Sequence, residues 1–162
     1  MDVSGYHHVD SIRINRRAAD IYATVSDVTR MGEFSPVCKV CSWDEVSQAG
    51  KQGAWFTGHN AVGDFTWDTR CKVVSAEPAR EFSFVNCGPD GHAELVRWGF
   101  TFEEHGDETT VTESWRVLPA YPDFVTADNP DADVAKRLDG MAAMAQDGIR
   151  DTLANLKRLA EG

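Results

Sequence analysis

The segment from residue 37 to residue 118 is interrupted by turn-forming residues at short, regular intervals. The interruptions are SQAGKQG, VGD, AEPAR, NCGPDG and EHGDE, and the runs between them are rich in β-branched and aromatic side chains. Short strands separated by glycine-containing turns pair as antiparallel hairpins. The pattern therefore predicts a meander of six strands, with no helix-length periodic segment inside it.

A single long helix is predicted after the meander. Apolar residues recur at three- and four-residue steps from Val134 to Ala160, while charged residues such as Arg150 and Lys157 fall on the other face. This periodicity is typical of an amphipathic helix. The stretch before it, residues 119–133, contains three prolines and four aspartates, and we interpret it as an irregular loop.

The N-terminal region predicts one more strand and two short helices. Residues 7–14 (HHVDSIRI) alternate weakly, as a strand does, and Asn15 is suited to cap a helix over 16–26. Asp27 begins a second short helical turn. Phe34 lies in the exit from that turn, where an aromatic residue indicates packing against the long helix or the closing of a cavity.

These elements specify an α+β fold in which the sheet must curve. A helix is about 10 Å wide, whereas seven strands at about 4.8 Å spacing exceed its width about threefold. The sheet therefore has to curl around the helix, which easily leaves a hollow. Gly140 and Gly148 in the helix favour the hollow; the alternative is that they permit close packing of helix on sheet.

Composition limits the classes of partner. The chain has 162 residues, which fits one domain spanning 1–162, and 26 acidic against 16 basic residues give a net charge of −10. No basic stripe occurs, so nucleic acid and anionic membranes are poor partners. No signal-peptide pattern and no long apolar run is present, so we expect a cytoplasmic protein without membrane insertion.

The four cysteines do not form a metal-binding pattern. They are Cys38, Cys41, Cys71 and Cys87; the first two form C-K-V-C, but the others supply no second pair. Residues three apart on a strand should also point to opposite faces. Reduced structural thiols are the favoured interpretation and a redox pair is the alternative. Phosphate-loop, G-x-S-x-G and H-E-x-x-H motifs are missing, so we predict no metal and no cofactor.

One carboxylate is predicted to point into the apolar interior. Glu113 alternates in phase with Trp115, so both should face the same side of the sheet. A carboxyl group in such surroundings must be paired, hydrogen-bonded or neutral. Glu113 is therefore the first candidate for acid/base chemistry, with Asn60 orienting a carbonyl; a purely structural Glu113 is the alternative. His59 falls on the opposite face.

The order of elements resembles the helix-grip fold of the START/Bet v 1-like (SRPBCC) superfamily, and more narrowly its bacterial polyketide cyclase/dehydrase-like branch. The resemblance is carried by RAADIYATVSDVTRMGEFSP, GAWFTGHN, FTWDTRCKVVSAEPAREFSF, TTVTESWRV and LANLKRLAE. These segments span almost the whole chain. The resemblance implies a pocket for a small hydrophobic molecule, lipid-like or aromatic, entered at one end of the grip.

Strand alternation and helix periodicity predict which residues line that pocket, although core packing is the alternative for each of them singly. The sheet supplies Phe56, Phe65, Trp67, Thr69, Phe82, Phe84, Asn86, Trp98, Phe100, Phe102 and Trp115; the helix supplies Met141, Met144 and Ala145; and Tyr121 lies near the presumed entrance.

Three functions stay open at this level. The leading one is binding or transport of a small hydrophobic ligand, because no complete catalytic set is present. The second is a cyclase or dehydratase; the resemblance implies an inward arginine and a tyrosine for cyclases, but Cys71 and Val37-Cys38 occupy those positions, which weighs against it. The third is a protein-interaction module. The oligomeric state is also open, a homodimer included.

Overall fold

The computed structural model describes all 162 residues, and one seven-stranded antiparallel sheet forms its frame. The strands are β1 (His7–Ile14), β2 (Cys38–Trp43), β3 (Trp55–Val62), β4 (Phe65–Glu77), β5 (Glu81–Asn86), β6 (Val96–His105) and β7 (Glu108–Val117). Their order is β1-β7-β6-β5-β4-β3-β2. Each strand from β2 to β7 pairs with its sequence neighbour, so the six-stranded meander is confirmed.

Three α-helices complete the fold. They are α1 (Ala18–Ser26), α2 (Tyr121–Asp128) and α3 (Val134–Glu161), and short 3-10 turns cover Val28–Glu33 and Val46–Gln48. The predicted α+β helix-grip architecture, with two short N-terminal helical segments and a long C-terminal helix, is therefore confirmed. No helix is both long enough and apolar enough to cross a membrane.

Helices α1 and α3 cover different parts of the concave face. Helix α3 packs mainly on β1 and to a lesser extent on β7, while α1 packs on β5 and β6. Under α1, the ring of Tyr22 meets Phe82 and Phe102 edge-on, at centroid distances of 6.3 Å and 5.6 Å. Strands β3 and β4 have no helix packed closely on them.

The predicted loop at 119–133 is partly wrong, because α2 occupies Tyr121–Asp128. Pro122 lies in the first turn, where its missing N–H has no intrahelical partner to lose and its fixed φ suits a helix. The Thr126 hydroxyl donates to the Pro122 carbonyl at 3.1 Å and braces the turn. Pro122 thus belongs to a helix start and not to a loop.

Helix α1 begins two residues later than predicted, and Asn15 does not cap it. The N-cap position is Arg17, whose side chain makes no capping bond. Instead the Ala18 N–H donates to Oε1 of Glu104 on β6 at 2.9 Å. The cap is supplied across space from the sheet, which short-range sequence patterns do not show.

The expectation that Cys38 and Cys41 face opposite sides of β2 is also wrong. Cys38 pairs with Asn60 and Val40 with His59, so Lys39 is an extra residue in a β-bulge. The bulge shifts the alternation by one position. Both cysteines are therefore buried on the concave side, with Lys39 and Val40 exposed.

The cap from Glu104 gives a direct test of how α1 is anchored. We expect Glu104→Ala to destabilise the fold by about 1 kcal/mol, since an N-terminal N–H loses its acceptor. The melting temperature should fall by roughly 2–4 °C for a chain of this size. Glu104→Gln keeps an acceptor oxygen and should lose less. The neighbouring exposed Glu103→Ala is the control in thermal unfolding, and an equal loss there would contradict the capping role.

Candidate functional site

A cavity of about 700 Å³ lies between the concave face of the sheet and α3. Its walls come from the inward positions of β3 to β7, from α2 and α3, and from the corner that joins α1 to β2. Most of the residues predicted from alternation line it: Phe56, Asn60, Phe65, Trp67, Thr69, Phe84, Asn86, Trp98, Phe100, Glu113, Trp115, Tyr121, Met141, Met144 and Ala145.

Two predicted lining residues lie elsewhere. Phe82 and Phe102 point to the concave side, but they are buried against Tyr22 beneath α1 and do not line the cavity. Alternation identifies the face of a strand but not how far along the strand the hollow extends. Their assignment to the ligand site is therefore corrected to the solid core.

The mouth of the cavity carries exposed apolar side chains. Val62 and Phe65 flank the turn between β3 and β4, and 68% of Phe65 is accessible to solvent. Met144 on α3 is also exposed, and all three belong to the cavity lining. Exposed apolar groups around an apolar hollow are typical of a binding site for a hydrophobic molecule.

The cavity-facing surface of α3 is made of small or flexible residues. Met141, Met144, Ala145, Gly148 and Thr152 all contribute to it. A Cβ atom added at Gly148 would meet no atom within 4 Å outside its own helix, so this glycine borders open space. The interpretation that it permits close packing of helix on sheet is not supported at this position.

Glu113 lies in the cavity wall without a partner. It sits on β7 opposite Phe100 of β6, is only 5% exposed, and its Oε1 is buried with no hydrogen bond. Burial raises the pKa of this carboxyl well above its ordinary value of 4.5, because the charged form loses its hydration. The neutral acid is the form this environment favours, and it can donate a hydrogen bond.

A small polar group forms on β3 and β4. The Asn60 amide nitrogen donates to the Trp67 carbonyl and to the Thr69 hydroxyl, each at 3.3 Å. With the amide in this orientation, the Asn60 oxygen has no partner in the protein. It is an acceptor available to a molecule in the cavity.

Three other polar residues have local partners. The Asn86 oxygen accepts from the Gly88 N–H at 2.9 Å, which holds the turn after β5. His59 faces solvent, as its alternation predicts, and its Nδ1 is 2.7 Å from Asp68 Oδ1. Arg70 is on the outer face as well, where it pairs with Asp44 and lies 5.3 Å from the centre of the Trp55 ring.

Arg137 is a cavity residue that sequence reasoning missed. It is the only lysine or arginine among the lining residues, it lies on α3, and it forms no ion pair with the protein. Burial raises the pKa of Tyr121, and the nearby Arg137 cation partly offsets this. Arg137 lies in the first turn of α3, at the edge of the helix's apolar face. This position was the only indication in the sequence that its side chain borders the cavity.

The sequence also failed to predict most of the cavity wall formed by the segment that joins α1 to β2. Phe34 was expected to close the cavity or contact the helix, and it does both: it lines the cavity, and its carbonyl accepts from Asn155 of α3 at 3.0 Å. Met31, Cys38 and Cys41 join it in the lining. The two cysteines face inward only because of the bulge, which has no sequence signature here.

No group of three or more His, Cys, Asp or Glu side chains is close enough to hold a metal ion.

The curved sheet, the long helix and the hollow between them define a helix-grip protein with an internal cavity. The family model described as polyketide cyclase/dehydrase and lipid transport matches residues 7–161. The chain therefore belongs to this family. No curated protein shows significant sequence similarity to it.

Solved structures agree with this assignment. A polyketide-cyclase-like protein of Corynebacterium glutamicum, solved by NMR, is 37% identical, with 99% of this chain and 94% of that chain covered and a TM-score of 0.69. The di-domain ARO/CYC protein of the steffimycin biosynthetic pathway is 12% identical over 96% of this chain and 50% of that one, with a TM-score of 0.67. The major latex-like protein 151 of Panax ginseng is 12% identical over 95% and 96%, with a TM-score of 0.61. The last two likenesses show the fold alone.

The unpartnered Glu113 predicts a specific pH dependence of stability. In the folded state Glu113 keeps a proton that the unfolded chain releases above about pH 4.5. The free energy of unfolding therefore falls as pH rises from about 4.5 toward the pKa of Glu113 in the folded state. The amide of Glu113→Gln does not titrate. The variant should therefore gain stability relative to the native chain as pH rises.

Urea unfolding of both proteins from about pH 5 to about pH 8 measures this difference. Glu103→Gln, which changes an exposed carboxylate on β6, is the control and should follow the native chain. A stability difference between Glu113→Gln and the native protein that stays constant over this range would contradict a raised pKa.

Proposed function

We propose that this protein binds a small hydrophobic molecule, with an aromatic or lipid-like body, in the cavity between the sheet and α3. The observation that carries the proposal is an apolar hollow of about 700 Å³ with one unpartnered buried carboxyl group in its wall. Pockets for small ligands usually measure about 300–1,000 Å³ and combine apolar walls with few polar groups. Membership of a family described by lipid transport and cyclase activity supports it.

The polar groups favour a ligand that carries a carbonyl or another acceptor. A neutral Glu113 offers an O–H donor inside apolar surroundings, where an unsatisfied polar group costs about 1–3 kcal/mol. A ligand oxygen at this position would remove that cost. The Asn60 oxygen would accept from a ligand hydroxyl.

Two further lining residues favour a second polar feature on the ligand. Arg137 is an unpaired cation beside the Tyr121 phenol, and both belong to the cavity lining. An acidic or strongly accepting group on the ligand would find its partner there. The proposed ligand is therefore amphipathic, with its apolar part among the aromatic side chains of the sheet.

Filling the cavity tests the proposal directly. Ala145 is buried in the cavity wall, so Ala145→Phe should reduce the affinity for an apolar fluorescent dye at least tenfold, because the new ring occupies the dye's space. Ala143→Phe makes the same change on the exposed side of α3 and is the matched control. Dye titration and native mass spectrometry of retained molecules provide the measurements.

The outcomes separate a binding cavity from an unused hollow. Retained ligand or tight dye binding by the native protein, lost only in Ala145→Phe, supports the proposal. Equal binding by the native protein and both variants would place the dye on the surface and contradict it. Failure of the native protein to bind any apolar dye or to retain any molecule would also contradict it.

A second candidate function is a cyclase or dehydratase, favoured specifically by Glu113. A carboxyl group with a raised pKa can act as a general acid near neutral pH, and the free Asn60 oxygen could orient the reacting group. The β4 position where the resemblance implies an inward arginine holds Cys71, with Arg70 on the outer face, and this weighs against the cyclase version.

The identity of the retained molecule distinguishes an enzyme from a carrier. If Glu113 is the acid of a dehydration, Glu113→Gln should retain a molecule heavier by one water than the molecule retained by the native protein. A carrier should retain the same molecule in both cases, in a smaller amount in the variant. Mass spectrometry of extracts from both proteins decides, with Glu103→Gln as the control.

A further inference from the structure

Cys38 and Cys41 form a close pair of thiols in the cavity wall. The bulge at Lys39 places Cys38 opposite Asn60 and Cys41 opposite Gly58, two successive inward positions of β3. The two sulfur atoms are 3.0 Å apart, and neither cysteine is in a disulfide. Two sulfurs bound to one tetrahedral zinc would lie roughly 3.8 Å apart, given a Zn–S bond of about 2.3 Å. The observed spacing is shorter than a shared zinc would impose, and closing it by about 1 Å gives the S–S bond length of about 2.05 Å.

The surroundings of the pair leave room for the two sulfurs to face each other. Gly58 has no side chain between them, and a Cβ atom there would lie 3.5 Å from each sulfur. The sulfur of Met31 is 3.8 Å from that of Cys41. Cys38 and Cys41 both line the cavity, so a small reagent can reach them through its mouth although both are nearly inaccessible from outside.

The two thiols are electrostatically unequal. The hydrogen bond between the two sulfurs lowers the pKa of Cys38 and raises that of Cys41, because a protonated Cys41 stabilises a Cys38 thiolate. The adjacent Lys39 cation lowers the pKa of Cys38 further. Burial raises the pKa of Cys71 to about 12, so this third cavity thiol stays protonated. Since thiolates are the reactive species, Cys38 is the nucleophile of the set.

We propose that Cys38 and Cys41 are a redox-active dithiol in the cavity wall, oxidised to an intramolecular disulfide by small hydroperoxides. The Cys38 thiolate attacks the peroxide oxygen, the O–O bond breaks, and Cys38 becomes a sulfenic acid as hydroxide or alkoxide leaves and takes up a proton. The Cys41 sulfur then attacks the Cys38 sulfur. The S–S bond forms, and the sulfenic hydroxyl leaves as water with the Cys41 proton.

The net reaction converts two thiols and one hydroperoxide into one disulfide, one water and one alcohol or second water. The peroxide is reduced by two electrons and the dithiol is oxidised by two. A thiol reductant restores the starting state. This chemistry is independent of which molecule the cavity binds, so it goes beyond the proposed function.

Peptide mapping after oxidation tests the proposal. The reduced protein is treated with an equimolar amount of hydrogen peroxide, its remaining thiols are alkylated, and it is digested with trypsin. Trypsin cleaves after Lys39, so a Cys38–Cys41 disulfide would hold peptide 31–39 to peptide 40–51 until a reductant is added. We expect two of the four cysteines to escape alkylation and this linked pair to appear in monomeric protein.

Two variants assign the roles of the sulfurs. Cys41→Ser should leave a sulfenic acid on Cys38 that a dimedone reagent labels, while Cys71→Ser combined with Cys87→Ser should form the linked peptides as the native chain does. Four intact thiols after peroxide treatment, a disulfide involving other cysteines or another chain, or direct oxidation of Cys38 to sulfinic acid would overturn the proposal. The native protein alone decides between these results if a variant fails to fold.

Discussion

The concave face of the sheet is wider than the helix that covers it. Seven strands at about 4.8 Å spacing extend roughly 30 Å, whereas a helix with its side chains is about 10 Å wide. Helix α3 resolves the mismatch by packing on the β1 side of the sheet, and α1 seals the region over β5 and β6. The remaining concave surface must be filled by large side chains or left as space. The aromatic residues fill part of it, and about 700 Å³ remains open.

Several residues around this space stabilise the fold less than the residues of a packed core would. Glu113 is buried without a hydrogen bond, a glycine borders open space in the middle of α3, and apolar side chains such as Phe65 are left exposed at the mouth. A buried unsatisfied polar group and a glycine inside a helix each cost on the order of 1 kcal/mol. A chain selected for stability alone would lose little by replacing them. Their coincidence around one hollow is understood most simply if the hollow is occupied during function.

The fold and most of the cavity wall were predictable because strand alternation is a local property. In β7, and in β4 as far as Val73, the side chains alternate between the two faces, so the inward direction of Trp67 and Glu113 follows from the sequence. What alternation does not report is the distance of a residue from a helix that packs across the sheet, and Phe82 was misplaced for this reason. The cap of α1 by Glu104 joins residues 86 positions apart, beyond the range of any local pattern. Helix α2 was missed because Pro122, at a helix start, resembles a loop residue.

The bulge in β2 had no predictive signature, yet it determines the chemistry of one cavity wall. In a regular strand the three-residue spacing would point Cys38 and Cys41 to opposite faces, and they could not meet; with the bulge at Lys39, both contribute sulfur to the lining. In the sheet order, β7 with Glu113 and β2 with the cysteines are five strands apart. The carboxyl and the thiols therefore lie on separate parts of the curved wall, and Arg137 is at a third place, on α3. Glu113 and Arg137 would therefore hold a ligand from elements other than β2, whereas a ligand that engages Asn60 reaches the residue opposite Cys38.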